Sequence, residues 1–274
     1  MGHVAADGAA TDWTADVWAA VQRVRAERPL VQNITNFVAM DLSANALLAI
    51  GASPAMIHAV EESAEFTRIV GALVVNIGTL QASWVTGMRS SAAAARDARK
   101  PWVLDPVGCG ATSYRTEIAR ELAAIGPSLI RGNASEIMAL HGAKPGRTRG
   151  VDSTDSAEAA SDIAHELALD YGCVVGVTGE VDYVTDGRRT LAVHGSDVLV
   201  TRVTATGCAL SALCGAFLAV EPDPLLATAH AFAAYAVAGG RAAAGSPGPG
   251  TLRWRLLDEL YRLDEAALRE VRIE

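Results

Sequence analysis

The chain has 274 residues, half of them apolar and a fifth charged, with a formal net charge of −8 at pH 7. Such a composition supplies a large buried core, and the length suits one large α/β domain or two small ones. The acidic balance argues against a nucleic-acid footprint, which needs a basic face.

The N-terminal segment lacks the basic-then-apolar plan of a signal peptide. The most apolar stretch, Cys208 to Val220, is too short to span a bilayer and carries Ser211 and Gly215. The expected compartment is therefore the cytoplasm, with no nucleic-acid or membrane partner. Residues 1–10 read as flexible. From Asp12 to Glu27 the apolar residues Val17, Val21 and Val24 recur at helical spacing, with Thr11 or Thr14 as the cap. Short apolar runs then fall at Leu30–Val31, Ala55–His58, Ala72–Asn76, Trp102–Asp105, Leu129–Ile130 and Val174–Thr178. Between them the pattern predicts helices near Asp41–Ile50, Glu61–Val70, Leu80–Ala98, Tyr114–Ala124, Asn133–His141 and Ser153–Asp170. Strand–helix alternation with nearly continuous apolar strands predicts an α/β fold, its mostly parallel sheet covered by helices on both faces. From Tyr183 the pattern changes: Val181–Thr185 and Arg189–Val193 make a β-hairpin around Asp186-Gly187, a type I′ signal. A further strand is expected near Val198–Val200, then helices over Gly207–Val220, Pro224–Ala244 and Thr251–Tyr261. Gly245–Gly250 reads as a loop within one domain spanning residues 1–274.

In a doubly wound sheet, ligands collect beyond the carboxyl ends of the strands. Asp105 ends one strand in the segment Asp105-Pro106-Val107-Gly108-Cys109-Gly110. Arg131, Asn133 and Glu136 follow the next strand, and Thr178-Gly179-Glu180 ends another. Thr204-Ala205-Thr206-Gly207-Cys208 runs straight into a helix. A tight turn there leaves backbone N–H groups unpaired at a helix N-terminus, where they and the dipole attract anions. Asn133 and Glu136 stand three positions apart on one helical face. That pair serves as a capping box, and also suits holding a hydrated Mg²⁺ near phosphates; the two roles are compatible. Asp105 before Pro106 also reads as a turn-former. Together these strand ends imply phosphoryl transfer.

The four cysteines, Cys109, Cys173, Cys208 and Cys214, form no C-x-x-C pair, so neither zinc nor disulfides are expected. Three read as small core residues, whereas Cys208, on the first turn of a helix, has its thiolate favoured by the dipole. His58, His141, His165, His194 and His230 show no ligand spacing. There is no G-x-x-x-x-G-K-[ST], G-x-S-x-G, H-E-x-x-H or strand-then-G-x-G-x-x-G pattern, so the phosphate site is not a P-loop.

These residues sit within longer motifs: Val31-Gln32-Asn33-Ile34-Thr35-Asn36, Ala44–Met56, Asn76-Ile77-Gly78-Thr79-Leu80, Leu104–Gly108, Ile130–Ile137 and Val177–Glu180. In order and spacing, from about Pro29 to Leu260, they resemble the hydroxyethylthiazole kinase family of the ribokinase-like superfamily. The resemblance implies a ribokinase-like fold whose β-hairpin region lies near the nucleotide site. It also implies ATP-dependent phosphorylation, with Mg²⁺, of the primary hydroxyl of 4-methyl-5-(2-hydroxyethyl)thiazole. Carried onto this chain, Asn36 and Met56 contact the thiazole, and Arg131 and Thr178 contact ATP. Asp105 and Glu136 lie near Mg²⁺ and the phosphates, and the backbone from Ala205 through Thr206 and Gly207 to Cys208 forms an anion hole. The family is typically a homotrimer with the thiazole site completed by a neighbouring subunit.

Most ribokinase-like kinases place aspartate where Cys208 stands, as base for the alcohol, so Cys208 is expected to position the hydroxyl and assist proton removal only modestly. The resembled family usually has glycine at position 205, and the expectation is that Ala205 needs no positive φ. Phe37 and Asp41 stand where some members carry polar amides. A hydroxymethylpyrimidine kinase can also carry Gly-Cys at this turn, though Ile34-Thr35-Asn36 and Ala52-Ser53-Pro54 favour thiazole. An ATP-dependent dehydratase is disfavoured by Cys208. A non-catalytic thiazole or nucleotide sensor is disfavoured by the joint presence of Asp105, Asn133, Glu136 and Cys208.

Overall fold

A computed structural model describes residues 12–142, 155–195 and 197–274. The expectations for residues 1–10, for Thr11 as a cap and for the helix start at Ser153 lie outside the described residues. The first half of the chain runs α1 (Thr14–Glu27), β1 (Leu30–Ile34), α2 (Met40–Ile50), β2 (Ser53–Ala55), α3 (Ser63–Thr67), β3 (Ala72–Asn76), α4 (Ala82–Asp97) and β4 (Trp102–Asp105). It continues through α5 (Ser113–Ala123), β5 (Leu129–Asn133), α6 (Ala134–His141), α7 (Asp155–Tyr171), β6 (Val174–Thr178), β7 (Asp182–Thr185) and β8 (Thr190–His194). A 3-10 turn (Val198–Arg202) leads to α8 (Thr206–Leu218), α9 (Pro224–Ala244), α10 (Pro249–Arg262), a second 3-10 turn (Ala267–Glu270) and β9 (Arg272–Ile273).

The strands form one sheet in the order β2-β1-β3-β4-β5-β6-β7-β8-β9. The first six are parallel, and β7, β8 and β9 extend the sheet antiparallel. Alternation of side chains along each strand divides the core in two. Val31, Val74, Val103 and Leu129 face a layer built with α1, α2, α8, α9 and α10. Leu73, Val75, Leu104 and Ile130 face the layer of α4, α5, α6 and α7. Helix α8 is apolar on all sides and buried along nearly its whole length. It presses so closely on the sheet that a Cβ at Gly215 would sit 2.7 Å from Val74 Cγ2.

Several expectations need correction. The strand placed at Ala55–His58 is Ser53–Ala55, pairing Leu30 with Ser53 and Val31 with Pro54; β2 is an edge strand, where proline is tolerated. The helix expected over Glu61–Val70 shortens to α3. Helix α1 takes its cap neither from Thr14 nor from a longer start, because Asp12 Oδ1 accepts the Thr14 N–H at 2.9 Å. The turn at Asp186-Gly187 is a four-residue loop, Thr185 pairing with Thr190. Only Gly187 there takes positive φ (78°), while a type I′ turn needs two such residues. Asp186 Oδ1 instead accepts the N–H groups of Arg188 and Arg189 at 2.9 and 2.7 Å. The strand near Val198–Val200 is a 3-10 turn, because Asp197 Oδ1 caps it through the Leu199 N–H at 2.7 Å. Residues 249 and 250, placed in a loop, open α10 with proline in its first turn. The short strand β9 carries no periodic signal.

Candidate active site

The carboxyl ends of β4, β5 and β6 and the start of α8 surround a cavity of about 750 Å³. Eight of the ten residues that the resemblance carries over line it, Asp105, Arg131, Glu136, Thr178, Ala205, Thr206, Gly207 and Cys208, and Asn133 lines it with them. Asn36 reaches it through Cys208, its Nδ2 lying 3.5 Å from Cys208 Sγ. Met56 follows β2, is half-buried and lines no part of this cavity among the described residues.

Ala205 decides the shape of the turn before α8. Its backbone is left-handed, φ 66° and ψ 7°, so the expectation that position 205 avoids positive φ is wrong. The chain must reverse sharply to present the first N–H groups of the helix, and the left-handed conformation does this. The first intrahelical bond runs from Ala209 N to Ala205 O at 2.9 Å, leaving the N–H groups of Thr206, Gly207 and Cys208 ahead of it. The turn is pinned from behind: Tyr235 Oη donates to Thr206 O at 2.9 Å, and Thr206 Oγ1 donates to Val203 O at 3.1 Å. Gly207 lets a cation approach, because a Cβ there would stand 2.8 Å from Arg131 Nη1. Arg131 is buried, donates to Thr178 Oγ1 at 2.7 Å, and leaves its Nε without a partner. A buried guanidinium beside the positive end of a helix dipole makes a site for an anion.

Asp105 is fully buried at the end of β4. Its Oδ2 accepts from Asn76 Nδ2 and from Ser211 Oγ, both at 2.8 Å, while Oδ1 has no hydrogen-bond partner. Burial pushes its carboxyl up to about 6; the Arg131 guanidinium pulls it back, and Glu136 adds to the rise. Glu136 forms the capping box with Asn133, its Oε2 accepting the Asn133 N–H at 2.9 Å. Its Oε1 accepts the Gly108 N–H at 2.8 Å, tying the loop after β4 to α6.

Cys208 departs from the thiolate expectation. Burial pushes its thiol up to about 11, and the nearby Asp105 charge raises it further, against donation from Asn36 and Asn76. The thiol is therefore protonated at neutral pH. Cys109, Cys173 and Cys214 are buried, as small core residues should be.

Asn76, Ser211 and Tyr235 were not among the sequence candidates. Asn76 ends β3, where an apolar run turns polar, and Ser211 lies three residues beyond Cys208 on the same helical face; both are legible signals. Tyr235 sits mid-helix in α9 with nothing in its neighbourhood of the sequence to mark it. Phe37 packs on Trp84 with ring centroids 5.0 Å apart, and Asp41 pairs with Arg253 at 2.6 Å on the surface.

The hydroxyethylthiazole kinase family model matches residues 21–266. The chain belongs to this family. It is 53% identical to the hydroxyethylthiazole kinase of Rhizobium etli (strain CIAT 652), over 90% of this chain and 96% of the relative. It is similar to the solved hydroxyethylthiazole kinase of Pyrococcus horikoshii, with a TM-score of 0.88 at 43% identity, covering 95% of this chain and 98% of that one. A ribokinase-like superfamily protein of Enterococcus faecalis shares the fold, with a TM-score of 0.61 at 12% identity over 84% of this chain and 86% of that one. The protein is thus a phosphotransferase of the hydroxyethylthiazole kinase family with a ribokinase-like fold. No helix among the described residues is long and apolar enough to cross a membrane.

Proposed function

We propose that the protein, acting as one kinase domain in the cytoplasm, transfers the terminal phosphoryl group of ATP to the primary hydroxyl of 4-methyl-5-(2-hydroxyethyl)thiazole, in thiamin salvage. The observation that carries this reading is the convergence of the α8 turn, Arg131, Asp105 and Cys208 on one cavity. The alcohol oxygen forms a bond to the terminal phosphorus, the bond to the leaving ADP oxygen breaks, and the hydroxyl proton is released. The transition state is loose, so alignment and charge neutralisation do most of the work. The N–H groups of Thr206 to Cys208 receive the transferred group, and Arg131, held by Thr178, neutralises phosphate oxygens.

Mg²⁺ fits the site by donor chemistry. Asp105 Oδ1 is a buried oxygen without a partner, and Glu136 adds a second carboxylate. The described residues hold no group of three or more His, Cys, Asp or Glu side chains that could hold a metal ion. Mg²⁺ needs no such cage, since it takes one or two carboxylates together with waters and substrate phosphates. When bound, the ion supplies charge neutralisation on the phosphates.

Cys208 orients the acceptor hydroxyl rather than removing its proton, because its thiol stays protonated. Asn36, beside Cys208, and Met56 contact the thiazole. Phe37 and Val38, next to Asn36, are 58% and 61% exposed, an apolar surface suited to a neighbouring subunit of a homotrimer that completes the thiazole site.

Purified protein incubated with ATP, Mg²⁺ and either hydroxyethylthiazole or hydroxymethylpyrimidine tests the reading, with products detected by mass. Thiazole phosphate is the expected product. Pyrimidine phosphate alone would assign the sister activity, and binding without turnover would make the protein a sensor. Cys208→Asp is expected to remain active, because the amide N–H groups of Asn36 and Asn76 already point at position 208 and suit a carboxylate. Cys208→Ala should lose roughly ten- to a hundredfold in kcat; full activity would remove Cys208 from the mechanism.

A further inference from the structure

Asn76 is 1% exposed, and its carboxamide is fully engaged. Oδ1 accepts from the Gly78 N–H and from Asn36 Nδ2, both at 2.9 Å. Nδ2 donates to Asp105 Oδ2 at 2.8 Å and to Cys208 Sγ at 3.2 Å. Both hydrogens and both lone pairs of the amide are therefore used. The group has one orientation only. Turned over, it would set its oxygen against the Asp105 carboxylate and its nitrogen against two donors.

The surrounding contacts divide the labour. Asp105 has a second donor in Ser211 Oγ at 2.8 Å, and Cys208 has a second, longer contact with Asn36 at 3.5 Å. Among the described residues, Asn76 alone hydrogen-bonds both Asp105 and Cys208. Two N–H groups donate to the sulfur, which leaves the thiol hydrogen free to serve a third partner, and Cys208 lines the cavity.

We propose that Asn76 is a positioning residue for phosphoryl transfer, which locks Cys208 Sγ and the Asp105 carboxylate into one frame and aims the thiol at the acceptor hydroxyl. This rests on the functional reading above, which gives Cys208 the alcohol side and Asp105 the phosphate side. It predicts that Asn76 acts through the sulfur rather than through ATP.

The test compares Asn76→Ala, Asn76→Asp and Ser211→Ala with the wild-type protein. Three quantities are read: steady-state kinetics with hydroxyethylthiazole, the kinetics of Asn76→Ala combined with Cys208→Ala, and the rate at which iodoacetamide alkylates Cys208 in ligand-free protein. Asn76→Ala should lower kcat about ten- to a hundredfold, as loss of outer partners does, with KM for ATP within about twofold. In the Cys208→Ala background the further loss should shrink to about threefold or less. Alkylation of Cys208 should slow by about three- to tenfold, since the forming thiolate loses one N–H donor. Ser211→Ala, which strips Asp105 of its other donor, should leave that alkylation rate unchanged. Asn76→Asp keeps the size of the side chain and reverses its donors; if Asn76→Ala does not fold, Asn76→Asp carries the test and should show the same losses. Wild-type kcat in either variant, fully multiplicative losses in the double variant, or an unchanged or faster alkylation rate would overturn the proposal. Should the wild-type protein phosphorylate neither alcohol, the functional reading fails instead, and the alkylation rates still decide whether Asn76 governs the sulfur.

Discussion

Asp105 and His230 are both buried ionisable side chains with atoms that lack hydrogen-bond partners, yet they belong to different kinds of region. Asp105 Oδ1 is orphaned at the end of β4, beside Arg131, Asn76 and Ser211, on the wall of a large cavity. His230, on α9, has both ring nitrogens unpartnered and packs edge-on against Trp13 with centroids 6.2 Å apart. Burial pushes the Asp105 carboxyl up to about 6 and the His230 imidazole down to about 4. The size of the shift does not separate them. What separates them is company: donors, a buried cation and open volume converge on Asp105, while a tryptophan ring packs on His230. A perturbed buried group marks a site only where those other features meet it.

The sharpest way to break this comparison is to remove both titratable groups in turn. Asp105→Asn should lower kcat on the order of 10²- to 10³-fold, the scale seen when one preorganised electrostatic group is lost. The same change should stabilise the fold. A carboxyl raised from 3.8 to about 6 weakens the fold as pH climbs between those values, and the penalty is complete above 6. It amounts to at most about 3 kcal/mol, so Asp105→Asn should unfold at higher denaturant than wild type at pH 8 and show a smaller gain at pH 5. A variant that loses both activity and stability would mean that Asp105 is held for packing.

His230→Phe should do the reverse, leaving kcat within about twofold and changing only the acid limb of stability. The His230 imidazole is held neutral in the fold, its value lowered from 6.5 to about 4 by burial, with Asp16 opposing the shift and Arg23 adding to it. As pH falls from 6.5 toward 4, the unfolded chain takes up a proton that the folded chain refuses. Stability therefore drops over that window, by up to about 3 kcal/mol. Denaturant midpoints measured from pH 7.5 to 4.5 should flatten in the phenylalanine variant; an unchanged slope would place the acid sensitivity elsewhere.

The same contrast explains what the sequence could tell. Apart from the edge strand β2, the parallel strands were readable because they are largely apolar runs, and the polar residues Asp105 and Thr178 fall at their ends, where ligands collect. The Asn133–Glu136 cap was readable because its contacts are local. The antiparallel edge was misread where side chains overrode the pattern, as Asp197 did in capping a 3-10 turn on a β-branched run. Tyr235 and β9 were not legible, since each acts on a partner far along the chain: Tyr235 on Thr206 and Ile273 on Val193. The Asn36–Asn76–Asp105–Ser211 chain of contacts joins the loop after β1 to three separate elements, β3, β4 and α8. No spacing in one dimension announces it.

The smallest expected effect comes from Ala205, where the site region stores strain that the His230 region does not. An L-residue in the left-handed region costs about 1–2 kcal/mol, and glycine is free of that cost. Glycine also loosens the unfolded chain, which returns about 0.4–1 kcal/mol. Ala205→Gly should therefore raise stability by about 0.5–1 kcal/mol, read as a shift in denaturant midpoint. Its effect on turnover should be slight, because Tyr235 and Thr206 already fix the turn from behind and glycine can keep the same φ and ψ. Ala205→Val is the opposing probe: a β-branched side chain at φ 66° should unfold the turn and weaken ATP binding. If valine is tolerated with unchanged KM for ATP, the left-handed turn is not what presents the N–H groups of α8, and the phosphate site depends on Arg131 and Asp105 alone.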